Sequence, residues 1–262
     1  MKVRIRFSKY GALRFIGHLD VMRYFQKAIR RSDIAIAYSE GFSPHQIMSF
    51  AAPLSVGHTS QGEYLDIEVT SFPGKDELEK QLRLKEKLQA VMVEGISILD
   101  VQLLPEGEKN AMASVAAASY LIAFRQNTPL PGGWQEKLLS FYEQETIPVL
   151  KKTKKSEKQI NLKDSIYQLE IRKAGSNDAF LDREETLPDM VYMLLNASSG
   201  ENIKPGFVLE SFFKTLGYEL PPFALMIHRL ETYKDIGNQQ RVSGADGQPH
   251  AERKLVPLIW EK

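Results

Sequence analysis

Seven residues between Arg14 and His45 carry side chains that could do chemistry: Arg14, His18, Arg23, Lys27, Arg30, Arg31 and His45. Arg23, Lys27, Arg30 and Arg31 are spaced by four, three and one. On a helix that spacing puts them on one face, opposite Met22, Phe25 and Ile29. Lys2, Arg4, Arg6 and Lys9 lie upstream, so nine Lys or Arg up to Arg31 are set against a single acid, Asp20. The acids gather elsewhere, in 76–94 and 178–189. A chain of net charge +1 with one strongly basic end has the charge distribution of a phosphate-binding surface. The competing reading is a solvated helix face laced with ion pairs, for which few acids are near. A second basic run, Lys151, Lys152, Lys154 and Lys155, reads either as a flexible electrostatic arm or as a solubilising loop. As an arm it would touch backbone phosphates and read no bases.

His18 and His45 are the candidates for acid–base work near neutral pH. Neither has companions at metal-ligand spacing, so no metal is expected at either. Gly-x-Ser-x-Gly, Gly-x-x-x-x-Gly-Lys and Gly-x-Gly-x-x-Gly are all absent, which leaves a nucleophilic serine and the nucleotide folds without support. The turn Gly41-Phe42-Ser43-Pro44-His45 has directional content. Pro44 fixes its own φ and pushes Ser43 toward extended backbone, and Gly41 can supply a positive φ. One reading brings His45 together with Arg14 and His18 around a phosphate-sized anion. The other has Phe42 plugging the core and His45 bonding locally.

The elements that must position these residues follow from periodicity. Val3, Ile5 and Phe7 alternate with polar residues as a half-buried strand, and His18–Arg31 follows as a helix with Leu19, Met22, Phe25 and Ile29 at helical spacing. Ile34–Tyr38 is a short strand. A long connection from Gly41 to Gly62 contains one strand near Ser49–Ala52. Glu63–Thr70 alternates again, Lys75–Met92 is a charged helix, and Ile96–Leu103 closes as a strand. The order β-α-β-β-α-β is that of a ferredoxin-like, split βαβ unit.

The second half repeats it: Tyr120–Arg125, helix Trp134–Gln144, Ile147–Leu150, Met190–Asn196, helix Phe207–Leu216, Leu225–Tyr233. An insertion over 151–188 carries an extra strand at Tyr167–Arg172. The expected class is therefore α+β: two tandem ferredoxin-like units, 1–108 and 109–236, the second with an insertion. A mobile tail, 237–262, ends in an apolar segment, Leu255–Trp260, that docks on the body or on a partner.

Composition bounds the function. With 43% apolar and 26% charged residues the chain reads as a soluble globular protein. It has no cysteine, which removes disulfides, thiol catalysis and a self-held iron–sulfur cluster, and fits the cytoplasm. Its N-terminus has no apolar h-region, and no apolar run is long enough to span a membrane. No cofactor is expected in the chain itself.

The runs Arg6-Phe-Ser-Lys-x-Gly, Arg14-Phe-Ile-Gly-His-Leu-Asp-Val-Met-Arg, Ala28-Ile-Arg-Arg, Ala37-Tyr-Ser-x-Gly-Phe-Ser-Pro-His and Ser49-Phe-Ala resemble the uncharacterised radical-SAM-linked protein family. The likeness is dense over about residues 1–70 and thinner later, where Lys151–Leu162 shares it. It implies association with a radical-SAM enzyme acting on tRNA or ribosomal RNA; taken with the basic face, the expectation is an RNA-binding, non-catalytic accessory of that enzyme. A looser likeness, of fold alone, is to the RAMP-type CRISPR RNA-processing nucleases, which pair two ferredoxin-like units and can cleave RNA with a histidine and no metal. A third possibility is a pure protein-interaction adaptor for the radical-SAM partner.

Overall fold

The computed structural model describes residues 1–152, 157–174, 186–237, 242–243, 249–250 and 253–259. The chain is a mixed α+β protein that divides into two compact units: Met1–Ala116 with Glu231–Lys262, and Ala117–Leu230.

The first unit contains β1 (Lys2–Lys9), α1 (His18–Arg31), β2 (Ala35–Ile36), β3 (Met48–Phe50), β4 (Thr59–Ser71), α2 (Glu77–Gln89), β5 (Ile96–Leu103) and the single turn α3 (Ala111–Ser114). A 3-10 turn, Gly11–Phe15, joins β1 to α1. β1 lies between β5 and β4, antiparallel to both, with Ile5 opposite Val101 and Leu65. β2 and β3, on the two short strands expected at 34–38 and near 49–52, both pair with β4. This order is compatible with the split βαβ plan. Val3, Ile5, Phe7, Leu65, Ile67 and Val69 share a core with Phe25 and Ile29 of α1 and with Leu84 and Leu88 of α2.

α1 buries Val21, Phe25, Ala28 and Ile29, a set spaced at four, three and one. The apolar stripe is thus rotated from the expected one: Leu19 is exposed, and Met22 is only half-buried. α1 ends at Ser32, whose N–H reaches the carbonyls of Ala28 and Ile29 and whose hydroxyl donates to Ile29 O at 2.8 Å. α2 starts on Asp76, whose carboxylate accepts from Glu79 N at 2.8 Å. Where β5 begins, Gly95 has φ +95°, and a Cβ there would lie 2.9 Å from Tyr10 O. Gly95 O also accepts from Tyr10 N at 2.9 Å.

The second unit contains β6 (Ala117–Arg125), α4 (Trp134–Glu143), β7 (Pro148–Lys152), β8 (Glu157–Asn161), β9 (Ile166–Lys173), β10 (Thr186–Asn196), α5 (Pro205–Thr215) and the start of β11 (Leu225–Asp235), which ends in the first unit. Strand order in this unit is β11-β6-β10-β9. The strand read as the second of the repeat, β7, leaves this sheet and forms a ribbon with β8. The strand read as an extra in the insertion, β9, takes the edge place beside β10. Phe124, Trp134, Phe141, Phe212 and Phe213 stack edge-on or tilted between β6 and the two helices.

Two-residue strands β12 (Val242–Ser243) and β13 (Pro249–His250) pair with each other. Most of the expected mobile tail lies outside the described residues. Its apolar end does not. β14 (Leu255–Pro257) pairs with β11 in the first unit, Tyr233 opposite Pro257, and Leu258 is fully buried. The segment therefore docks in cis. Among the described residues no helix is long and apolar enough to cross a membrane.

Candidate nucleic-acid interface

Arg23, Lys27 and Arg30 all lie exposed on the outward side of α1, at i, i+4 and i+7. Arg23 sits 3.7 Å from Asp20, both side chains more than half exposed, a spacing that contributes well under 1 kcal/mol. Neither Lys27 nor Arg30 has an ion-pair partner among the described residues. Arg31 is exposed as well, one turn on from Lys27, and its guanidinium donates to Val91 O at 3.2 Å, beside Tyr24, whose hydroxyl accepts from Val93 N at 2.8 Å. Of the four exposed cations, Arg23, Lys27 and Arg30 form the row, and Arg31 is tied to a backbone carbonyl.

The basic residues upstream are largely withdrawn from the surface. Arg4 is 0% exposed and forms a two-pronged pair with Asp66, Nε to Oδ1 at 2.8 Å and Nη2 to Oδ2 at 2.9 Å. Its remaining N–H groups donate to Lys109 O and Leu258 O, which ties the C-terminal segment to β1. Arg6 pairs with Glu231 at 2.8 Å, and Glu231 also accepts from the Tyr64 hydroxyl at 2.7 Å. Burial pushes the Glu231 carboxyl up from its ordinary range, against the opposing pull of Arg6. Burial, reinforced by the Glu231 charge, pushes the Tyr64 hydroxyl well up. Lys9 is buried as well, donating to Ile16 O at 3.2 Å. None of this was legible in β1, where alternation assigns Arg4 and Arg6 only to the face opposite Val3 and Ile5. Their acidic partners stand some sixty residues or more away.

His18, Arg14 and His45 do not converge through any bond or ring contact among the described residues. His18 is half-buried at the start of α1, its ring edge-on to Phe50 at 5.2 Å. With Lys9 and Glu63 it lines a crevice of about 10 Å³, room for one water. Arg14 stacks over Phe15 at 4.9 Å, and its carbonyl accepts from Gly57 N at 2.7 Å. His45 is exposed and bonds to Ser39: Nδ1 to Oγ at 2.8 Å, with the His45 N–H donating to the same Oγ at 3.1 Å. Phe42 does not plug the core. It is fully exposed, at 112%. Among the described residues no group of three or more His, Cys, Asp or Glu is placed to hold a metal ion.

In the second unit Lys151 donates to Asn202 O at 2.9 Å and, with Lys158, lines a cleft of about 380 Å³ that also holds Asp164 and Glu201. Lys152 ends β7, and Lys154 and Lys155 lie outside the described residues. The lining of this cleft thus sets two lysines against two acids, unlike the α1 stripe. On β11, burial pushes the His228 imidazole down to about 3. Its neighbour Arg229 is buried too, its guanidinium 5.7 Å from the Tyr120 ring.

No curated protein matches the chain in sequence. Among solved structures it is similar to the crystal structure of the archaeal box H/ACA sRNP Nop10-Cbf5 complex, at 8% identity and a TM-score of 0.38, over 87% of this chain and 46% of that one. The family model that matches covers residues 2–205, and the chain belongs to that family, described as "Uncharacterized protein conserved in bacteria" (DUF2344).

Proposed function

We propose that this protein is an RNA-binding accessory that works with a radical-SAM enzyme on tRNA or ribosomal RNA and is itself non-catalytic. The observation that carries the RNA half is the α1 stripe. Three cations stand exposed in one row, and the one carboxylate in ion-pair range of them among the described residues is Asp20, at 3.7 Å. Side chains so placed are free to neutralise phosphates and release their counterions. The partnership half rests on the family resemblance and on the cysteine count. Radical-SAM chemistry needs a cysteine-held cluster, and a chain with no cysteine leaves that chemistry to its partner.

The test is the triple charge reversal Arg23→Glu, Lys27→Glu, Arg30→Glu in the full chain, titrated with tRNA and ribosomal RNA fragments at several salt concentrations. These side chains lie off the buried face of α1, so the circular dichroism spectrum and melting temperature should be unchanged. Losing three phosphate contacts removes a salt slope of about 2.7, so wild-type affinity should fall between 50 and 200 mM salt by roughly 40-fold more than the variant's. Equal affinity and equal salt slope in the variant would show that α1 is not the binding surface. Wild-type protein that copurifies with the enzyme and binds no RNA would replace this reading with the adaptor.

A further inference from the structure

We infer that Phe42 is a base-stacking finger, holding an unpaired nucleotide of the RNA whose phosphates lie along Arg23, Lys27 and Arg30. The inference rests on the RNA reading above and adds to it which feature of the RNA is recognised.

A single exposed phenylalanine is ordinary on a protein surface. This one differs in how it is held. Ser39 and His45 clamp the base of the turn with three hydrogen bonds: Ser39 N to His45 O at 2.9 Å, His45 N to Ser39 Oγ at 3.1 Å, and Ser39 Oγ to His45 Nδ1 at 2.8 Å. Tyr38 bridges to Gln46 immediately below. Gly41 takes φ +114°, a conformation closed to most side chains, and Pro44 fixes its own φ. The ring is therefore held away from the core by a braced loop, and much of the ordering that binding would cost is already in place.

The turn also stands beside the cations. Gln46 Nε2 donates to Gln26 O at 3.3 Å, on α1 between Arg23 and Arg30. Phe42 lies four positions from Gln46, a reach of at most about 14 Å, or about four stacked nucleotides at ~3.4 Å each along one strand. His45 is exposed in the same turn, with Nδ1 2.8 Å from Ser39 Oγ. Tyr38 is 47% exposed alongside. The residues flanking Phe42 in the turn, Glu40, Gly41, Ser43, Pro44 and His45, are all exposed. A flat ring, an exposed imidazole and a row of cations fit a ligand that is both aromatic and anionic, and Glu40 is the one carboxylate in the turn. A nucleotide meets that description, and stacking accepts any base.

The experiment compares the full-length wild type with Phe42→Ala and Phe42→Trp on two labelled RNAs, a blunt hairpin and the same hairpin with a single-stranded extension carrying 2-aminopurine. Wild type should prefer the extended RNA and quench the 2-aminopurine. Phe42→Ala should lose about 5- to 150-fold on the extended RNA, the range for one stacked base, and less than about 2-fold on the blunt one. Phe42→Trp should keep both the affinity and the quenching. An alanine variant that binds the extended RNA like wild type overturns the finger and leaves the α1 reading standing. Equal losses on both RNAs, or loss of copurification with the radical-SAM enzyme at unchanged RNA affinity, also overturn it. A wild type that binds neither RNA removes the reading it rests on.

Discussion

Asp66→Ala should destabilise the first unit by about 4 kcal/mol. Arg4 is 0% exposed, and two of its four hydrogen bonds end on the Asp66 carboxylate, at 2.8 and 2.9 Å. The other two end on backbone carbonyls, which satisfy N–H groups but do not neutralise charge. Removing one member of a buried ion pair costs about 3–5 kcal/mol, because the other stays buried and uncompensated. Ala111 N also loses its acceptor, Asp66 Oδ2 at 2.7 Å, at about 1 kcal/mol. With a urea dependence of about 2 kcal/mol per M, the midpoint should fall by about 2 M. Arg4→Met should be comparably severe, stranding the carboxylate instead. The double variant Arg4→Met/Asp66→Leu removes both charges and leaves only Lys109 O, Leu258 O and Ala111 N without these partners. It should therefore be milder than either single change. Equilibrium urea unfolding of all four proteins decides the matter. A double variant that costs the sum of the singles, or an Asp66→Ala midpoint within about 0.5 M of wild type, refutes the reasoning. Because Arg4 also holds Leu258 O, trypsin should cut at Arg253 and Lys254 faster in Arg4→Met than in wild type.

Gly95→Ala should cost about 1–3 kcal/mol, since the alanine must hold φ +95° and its Cβ meets Tyr10 O at 2.9 Å and Leu13 at 3.0 Å. Thermal melts check this, and an unchanged melting temperature would contradict that geometry. His228 gives a pH dependence of defined sign. Its folded pKa of about 3 lies below the unfolded value of about 6.5, so between them the unfolded chain binds a proton that the native state refuses. Its contribution is fully present above about pH 6.5 and is lost as pH falls toward about 3, by up to roughly 1.4 kcal/mol per pH unit. A His228→Gln variant should show a flatter melting temperature against pH between 6 and 4, and coincident slopes would mean His228 is not held neutral in the fold.

The sequence by itself determined the α+β class and most of the elements. α1 spans His18–Arg31 as its spacing predicts, because burying one face imposes a period of 3.6 on the apolar residues, and β1, β4, β5, β6, β10 and β11 fall on the runs read as strands. The exposure of Arg23, Lys27 and Arg30 was legible for the same reason, as positions off the apolar stripe of one local element. Only the tertiary structure decided what became of the other charges. Arg4 and Lys9 read as surface cations until strand pairing set Asp66 against Arg4, and the C-terminal segment and the loop before α1 supplied carbonyls to them. Such partners are chosen by register and chain return across long separations, which no local pattern records. Tertiary pairing likewise moved β7 out to a ribbon with β8 and put β9 at the sheet edge, since neighbour order is a long-range property. It also turned Phe42 outward. Gly41 and Pro44 predict a bend, but which way the bend points depends on Ser39, His45 and Gln46 closing beneath it against α1.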